Sequence, residues 1–377
     1  MCAIPSTVPR PAPHRDPRPV PAHAEQERQF ARAFRRIEAA IAEKVFPAAS
    51  LAVTHRGLLV ALRGFGHLTY DAASPGVAAA TIFDLASLTK VLAATAMAMV
   101  LYERGELDLE APVTGIVPEF AADDPRRREV TLRMLLAHSS GLPAYERLFE
   151  TASTRDALLH AALTMPLEAD PGTRPEYSDI GFIVLGEALA RVAGEPIDEF
   201  CQREVFGPLG MAHTFFRPPA DVRPQIPPTV NDQHFRHRVV QGEVHDENAS
   251  VLWGVAAHAG LFAQAADVAR FAQCMLDGGT PILRPATVEI FTRRETAPEG
   301  TSRALGWDTP SPPSQSGRHF SARSFGHLGY TGTSLWIDPE RELSVTLLTN
   351  RTWPNADDQR IKQVRPLVHD AIVEALA

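Results

Sequence analysis

The sequence predicts an α+β fold, in which an antiparallel sheet assembled from both ends of the chain is flanked by helices and a mainly helical lobe is inserted between its halves. Three observations carry this. Residues 50–66, SLAVTHRGLLVALRGFG, read as two β-runs around an Arg56-Gly57 turn. The last third holds the β-rich runs RSFGHLGY, TSLWIDP and ELSVTLLTN, with DPERE as a hairpin turn between the last two. Between these ends the chain reads as helical from about residue 87 to Gly210, broken by loops at HSSGLP and DPGTRPEYSD.

Residues 1–24, MCAIPSTVPRPAPHRDPRPVPAHA, are rich in proline and lack the apolar core of a secretory signal. They predict an extended, disordered arm, and a cytoplasmic protein. A single catalytic unit is expected over 25–377. Phe30, Phe34, Ile37 and Ile41 fall on one face of a first helix, which Pro47 ends. A helix from Ser87 to about Glu103 stops near Gly105. Another, over 180–194, ends at Gly194. Residues 217–250 are rich in proline and polar groups and form a long excursion. The run AQAADVARFAQCML returns to helix. A terminal helix from about Asp357 carries Ile361, Val364, Val368, Ile372 and Leu376 on one stripe. These elements place an α/β lobe at about 25–84 and 265–377 and a helical lobe at about 85–264, with no internal repeats.

Composition narrows the function. Hydrophobic residues make up 45% and charged residues 22% of the 377, as in an ordinary globular enzyme. A net charge of −8 and the lack of any basic run argue against a nucleic-acid partner. Cys2, Cys201 and Cys274 are odd in number, widely spaced and without a CxxC pair. That pattern points away from a disulfide framework and a cysteine zinc site, and suits a reducing compartment. No stretch approaches ~18 uninterrupted apolar residues, so no membrane span is expected.

The stretch FDLASLTKVLAATAMAMVLYE holds one charged residue, Lys90, between Asp84 and Glu103. A helix apolar all round is buried, and burial disfavours a charged ammonium. Ser87 lies three residues earlier, on the same helical face. A lysine that gives up its proton easily, beside a serine, is a general base beside a nucleophile. Only three of the 37 basic residues are lysines: Lys44, Lys90 and Lys362. Unlike arginine, lysine can lose its proton in a protein.

Two further motifs follow Ser87-x-x-Lys90: Tyr177-Ser178-Asp179 ahead of a helix, and His327-Leu328-Gly329 in a glycine-rich β-segment. The order S-x-x-K, Y-x-D, H-x-G resembles the class C β-lactamase and D-alanyl-D-alanine carboxypeptidase superfamily of penicillin-binding-protein-like serine hydrolases, which includes family VIII carboxylesterases. The resemblance spans about 25–377 and extends to GELDLEAPV, LRMLLAHSSGLP, FGPLGMAHTFF, AGLFAQAADVARF and GYTGTSLWIDP. It implies a β-lactamase/transpeptidase-like fold with Ser87 as nucleophile, Lys90 as its base and Tyr177 sharing protons and protonating the leaving group. It also implies an oxyanion hole from the amides of Ser87 and Tyr330, with Gly329 keeping the strand edge open.

This sequence departs from the family in two places. Asp179 stands where asparagine is more usual. A carboxylate there would hold Lys90 charged and discourage an anionic substrate, unless Asp179 instead caps its helix from outside. His327 and Leu328 replace the lysine and threonine of K-T-G. Neutral histidine holds a substrate carboxylate weakly, whereas protonated histidine could hold one.

The expected function is therefore a serine hydrolase acting through an acyl-enzyme on small esters or amides, with no cofactor. A D-alanyl-D-alanine carboxypeptidase or weak β-lactamase is the competing enzyme. A binding protein on the same fold is the competing class, although Ser87, Lys90 and Tyr177 are all present. Acyl transfer to an acceptor other than water also remains open. His234, His237, His245, Asp246 and Glu247 cluster in HFRHRVVQGEVHDEN without a metal-ligand spacing on a helix and read as loop polarity. His138 reads as shaping its lobe.

Overall fold

The computed structural model describes residues 18–19 and 23–377. In chain order its elements are β1 (Arg18–Pro19), α1 (His23–Gln29), α2 (Ala31–Ala42), β2 (Ala48–His55), β3 (Leu58–Gly66), β4 (Ile82–Asp84), α3 (Ala96–Glu103), α4 (Leu132–Leu136), α5 (Arg155–Thr164), α6 (Asp179–Ala193), α7 (Ile197–Cys201), β5 (Phe215–Phe216), β6 (Val230–Asp232), β7 (Arg238–Val240), α8 (Glu247–Val251), β8 (Leu261–Gln264), α9 (Ala265–Leu276), α10 (Pro285–Thr292), β9 (Phe325–Leu328), β10 (Ser334–Asp338), β11 (Leu343–Thr349) and α11 (Ile361–Leu376).

The main sheet runs β1-β3-β2-β11-β10-β9, so N-terminal strands meet C-terminal ones where β2 pairs antiparallel with β11. Arg56 and Gly57 turn the β2–β3 hairpin with φ of 51° and 74°, the left-handed pair that a tight hairpin needs. Strand alternation sorts side chains between two cores. Leu51, Val53, Trp336, Val345 and Leu347 face α2 and α11, with Phe30, Phe34, Ile37, Val368 and Ile372. Ala48, Ala52, Leu335, Ile337 and Leu348 face the larger core, built with α3, α6 and α9.

The disordered arm expected over 1–24 falls largely outside the described residues. Where the chain is described, the expectation is corrected: Arg18 and Pro19 pair in parallel with Leu58 and Leu59, and α1 begins at His23. Proline fits at this sheet edge because an edge strand leaves one side of its backbone unpaired.

The helix expected from Ser87 is not one regular element. A 3-10 turn at Ala86–Leu88 passes into a wide π turn at Lys90–Thr95 and then into α3. Residues Ala86–Glu103 are, among the described residues, one stretch long and apolar enough to cross a membrane, but 83% of it is buried in the fold as a core helix. The 87–210 region is less helical than its sequence suggests: short 3-10 turns and loops separate α4, α5, α6 and α7. The excursion at 217–250 carries the β6–β7 hairpin and leads into α8.

Candidate active site

A cleft of about 680 Å³ opens where the Ser87 turn, the start of α6, the loop before α8 and the β9–β10 connection converge. Ser87, Tyr177, Asp179, His327, Gly329 and Tyr330 all line it. The turn that presents Ser87 is held from several sides. Ala86 sits at φ 47°, a conformation unfavourable for a side-chain-bearing residue. Its amide donates to Asp84 Oδ1 at 2.8 Å, and Asp84 Oδ2 accepts the His245 amide at 2.6 Å. Burial pushes the Asp84 carboxyl up to about 6 despite these donors. Thr331 and Thr333 hydroxyls donate to the Asp84 and Leu85 carbonyls, each at 2.9 Å, tying the β9–β10 connection to the Ser87 turn. Gly329 permits this approach: a Cβ there would fall on Thr333 Oγ1 and lie 2.5 Å from the Leu85 carbonyl oxygen.

Lys90 is fully buried behind Ser87. Its Nζ donates to Ser87 Oγ at 3.1 Å, Asp179 Oδ1 at 2.5 Å and the His258 carbonyl at 3.0 Å. Three acceptors match the three donors of an ammonium group. Burial alone would lower the lysine's proton affinity, but Asp179 and Tyr177 more than offset it, and the net shift is upward. The easily neutralised lysine expected from the apolar helix is thus corrected: at rest Lys90 is a charged member of a buried ion pair. Burial pushes the Tyr177 phenol up, and Lys90's opposing charge does not cancel this, so Tyr177 rests protonated.

Asp179 faces the site as the first residue of α6. The helix cap is its neighbour Ser178, whose Oγ accepts the Gly181 amide at 2.8 Å. Capping by Asp179 from outside is therefore ruled out, and its carboxylate is left free to reach Lys90. His138 Nδ1 accepts the Ser178 amide at 3.0 Å, and its ring lies 4.6 Å from that of Tyr177, so this histidine supports the Tyr177–Asp179 corner.

His327 is 2% exposed, and its Nδ1 sits 2.8 Å from the Leu328 carbonyl. A carbonyl only accepts, so Nδ1 carries the proton and Nε2 is a bare acceptor. Burial, Lys90 and Arg303 hold its proton affinity well below the ordinary imidazole value. A protonated His327 holding a substrate carboxylate is corrected accordingly: the ring is neutral.

Several lining residues carry no motif that sequence reasoning could use. Arg303 lies 5.2 Å above the Tyr177 ring and brings a cation to the cleft. Tyr145 forms part of the wall, beside His245, Asp246 and Glu247 of the HFRHRVVQGEVHDEN segment. His258 reaches Lys90 through its carbonyl, while its Nε2 lies 2.9 Å from Asp246 Oδ1. Burial would raise Asp246, but His258 and the Ala249 amide pull it down to about 2. The phrase HDEN was a visible signal for Asp246, although it suggested loop polarity. His234 and His237 do not line the cleft. No group of three or more His, Cys, Asp or Glu side chains among the described residues is arranged to hold a metal ion.

Residues 33–369 match the family model described as Beta-lactamase, and the chain belongs to that family. It is a serine hydrolase of the β-lactamase and penicillin-binding-protein superfamily. It is 31% identical over 346 residues to the N-acetylmuramyl-L-alanine amidase of Bacillus subtilis (strain 168), covering 81% of this chain and 77% of that one. It is 32% identical over 313 residues to a putative D-alanyl-D-alanine carboxypeptidase of Escherichia coli (strain K12), covering 74% and 71%. Among solved structures it shares its fold with EstCE1, a hydrolase with promiscuous acyltransferase activity, at 20% identity and a TM-score of 0.75 over 93% of this chain and 100% of that one. A penicillin-binding protein homologue from Caulobacter crescentus aligns at 19% identity and a TM-score of 0.73 over 92% and 97%.

Proposed function

We propose that the protein hydrolyses small esters or amides through an acyl-enzyme on Ser87. The carrying observation is the chain of contacts from Ser87 Oγ to Lys90 Nζ at 3.1 Å and on to Asp179 Oδ1 at 2.5 Å, at a cleft large enough for a small substrate. Because Lys90 rests charged, it works as a relay. A substrate that closes the cleft excludes water, and a low dielectric favours the neutral amine–acid pair over the ion pair. Lys90 yields a proton to Asp179 and takes one from Ser87 as Oγ attacks the substrate carbonyl. The amides of Ser87 and Tyr330 receive the oxyanion. Tyr177, protonated at rest, gives its proton to the leaving group and is reprotonated from Lys90. Water then attacks the acyl-enzyme by the reverse path.

Neutral His327 and the Asp179 carboxylate favour an uncharged substrate over a penicillin. Arg303 supports a second reading, a peptide or amide substrate with a free carboxylate, and the names of the amidase and carboxypeptidase relatives point the same way. Mass spectrometry after fluorophosphonate treatment, with Ser87→Ala as control, is paired with turnover of p-nitrophenyl acetate, p-nitrophenyl butyrate and nitrocefin. Labelling at Ser87 with ester turnover alone is the expected result. Rapid nitrocefin turnover would promote the β-lactamase reading, and neither labelling nor Ser87-dependent turnover would leave a binding protein.

A further inference from the structure

Among the described residues no carboxylate lies against the buried cation Arg365. It lies on α11, is 4% exposed, and borders the cleft behind the β9–β10 connection. Its Nη2 donates to the Gly329 and Thr333 carbonyls, each at 3.2 Å, and its Nε has no partner among the described residues. The nearest influence on its charge after burial is a second cation, Arg351, whose Nε donates to the Tyr330 carbonyl at 2.7 Å. Burial and Arg351 bring Arg365 down to about 9, which leaves it charged at neutral pH.

A buried guanidinium without a counter-charge is costly, and the fold does not need its hydrogen bonds. The Gly329 carbonyl already accepts the Gly332 amide at 3.0 Å, and the Thr333 carbonyl accepts the Gly329 amide at 2.8 Å. Removing Arg365 leaves neither oxygen unsatisfied. What the arginine adds is a positive charge on the oxygen end of the Gly329–Tyr330 peptide. In a trans peptide the C=O and the following N–H point in opposite directions. A cation on the Gly329 oxygen therefore fixes the Tyr330 N–H away from α11. It also draws electron density along the amide toward that oxygen, which makes the N–H a stronger donor.

We propose that Arg365 is a positioning residue for transition-state stabilisation: it holds and polarises the Gly329–Tyr330 peptide so that the Tyr330 N–H binds the oxyanion formed at Ser87. This rests on the acyl-enzyme reading above. Arginine suits the task because it keeps its proton throughout the cycle, whereas a lysine in so dry a place would be prone to lose it.

The test measures fluorophosphonate labelling rates and p-nitrophenyl acetate kinetics for wild type, Arg365→Met, Arg365→Ala and Arg365→Lys, with folding checked by circular dichroism and melting. Arg365→Met is expected to melt at or above the wild-type temperature, because an apolar side chain replaces an uncompensated charge. Its kcat and labelling rate should fall about 30-fold with KM within twofold. That loss is smaller than the ~100-fold or more that follows deletion of a whole oxyanion donor. Added guanidinium should recover part of the rate in Arg365→Ala, where it has room to enter. A folded Arg365→Met with kcat within threefold of wild type would overturn the proposal, as would a loss carried by KM alone. If neither Met nor Ala folds, Arg365→Lys decides. An ammonium in so dry a place is prone to lose its proton and with it the charge on the peptide, so a kcat drop of about 10-fold supports the proposal, and a wild-type kcat sinks it. Wild-type protein that is never labelled at Ser87 removes the acyl-enzyme reading itself, a result distinct from equal labelling of wild type and variants.

Discussion

Each wall of the cleft has a buried cation behind it. Behind the helical wall, Lys90 touches Ser87 and is paired with Asp179 at 2.5 Å. Behind the strand wall, Arg365 donates to the carbonyls of Gly329 and Thr333 and to no carboxylate among the described residues. The first cation sits between a group that can give a proton and one that can take it. The second is surrounded by oxygens that can do neither. A proton relay needs a side chain that changes charge during the cycle, and a fixed electrostatic field needs one that stays charged at neutral pH. Lysine and arginine divide those tasks according to their chemistry.

The sharpest way to break this division is to give the helical wall a cation that cannot titrate. Lys90→Arg should lower kcat about 1,000-fold or more, as loss of a general base does. Because the larger guanidinium has to enter a fully buried site, the variant's melting temperature must be measured beside its kinetics. A folded variant with ordinary activity would end the relay. The strand wall is next most sensitive. Gly329→Ala places a methyl against Thr333 Oγ1 and the Leu85 carbonyl, so the Tyr330 amide must shift. About 100-fold loss of kcat is expected, with overpacking costing ~1–3 kcal/mol of stability in urea melts.

Asp179→Asn sharpens the contrast from the other side. Burial of Lys90 would remain while the largest opposing charge is gone, so the lysine's proton affinity falls. With no carboxylate to take its proton, Lys90 must itself lose one before Ser87 is activated, so the ascending limb of kcat/KM against pH should move at least about one unit toward alkaline pH. An unmoved limb would mean that Asp179 does not take the lysine's proton.

The smallest effect lies away from the site, on α11. His369 is fully buried and held down to about 4 by burial, against 6.5 when unfolded. As pH falls below 6.5 the unfolded chain takes up a proton that the native state refuses until about 4, so stability is lost across that window. Between pH 7 and 5 this group accounts for about 2 kcal/mol. Urea midpoints should fall less steeply with acid in His369→Gln than in wild type.

Much of the arrangement was legible in sequence because its signals are local. The hairpin at Arg56-Gly57, the stop at Gly194 and the stripe of α11 each follow from turn chemistry or a helical period that neighbours alone specify. Ser87, Lys90, Tyr177, Asp179, His327, Gly329 and Tyr330 stood in three short motifs, and the fold brings those motifs to one cleft. Arg303, His258 and Arg365 stood in none. Each acts through a single geometric relation to a distant residue: a guanidinium over the Tyr177 ring, a carbonyl facing Lys90, and one guanidinium N–H on the Gly329 oxygen. The wide turn over Lys90–Thr95 was likewise hidden, because its residues are ordinary helix formers.

The sequence by itself determined the α+β plan, the order of the motifs and the choice of lysine beside serine, since each depends on residue type and on spacing within a few turns. The tertiary structure alone decided the charge states. Lys90 reads as neutral when only its apolar helix is considered, and becomes charged because Asp179, 89 residues away, arrives at 2.5 Å. His327 reads as a possible cation and becomes neutral because burial, Lys90 and Arg303 surround it. Protonation answers to the sum of desolvation and nearby charge, and that sum exists only once the chain has folded.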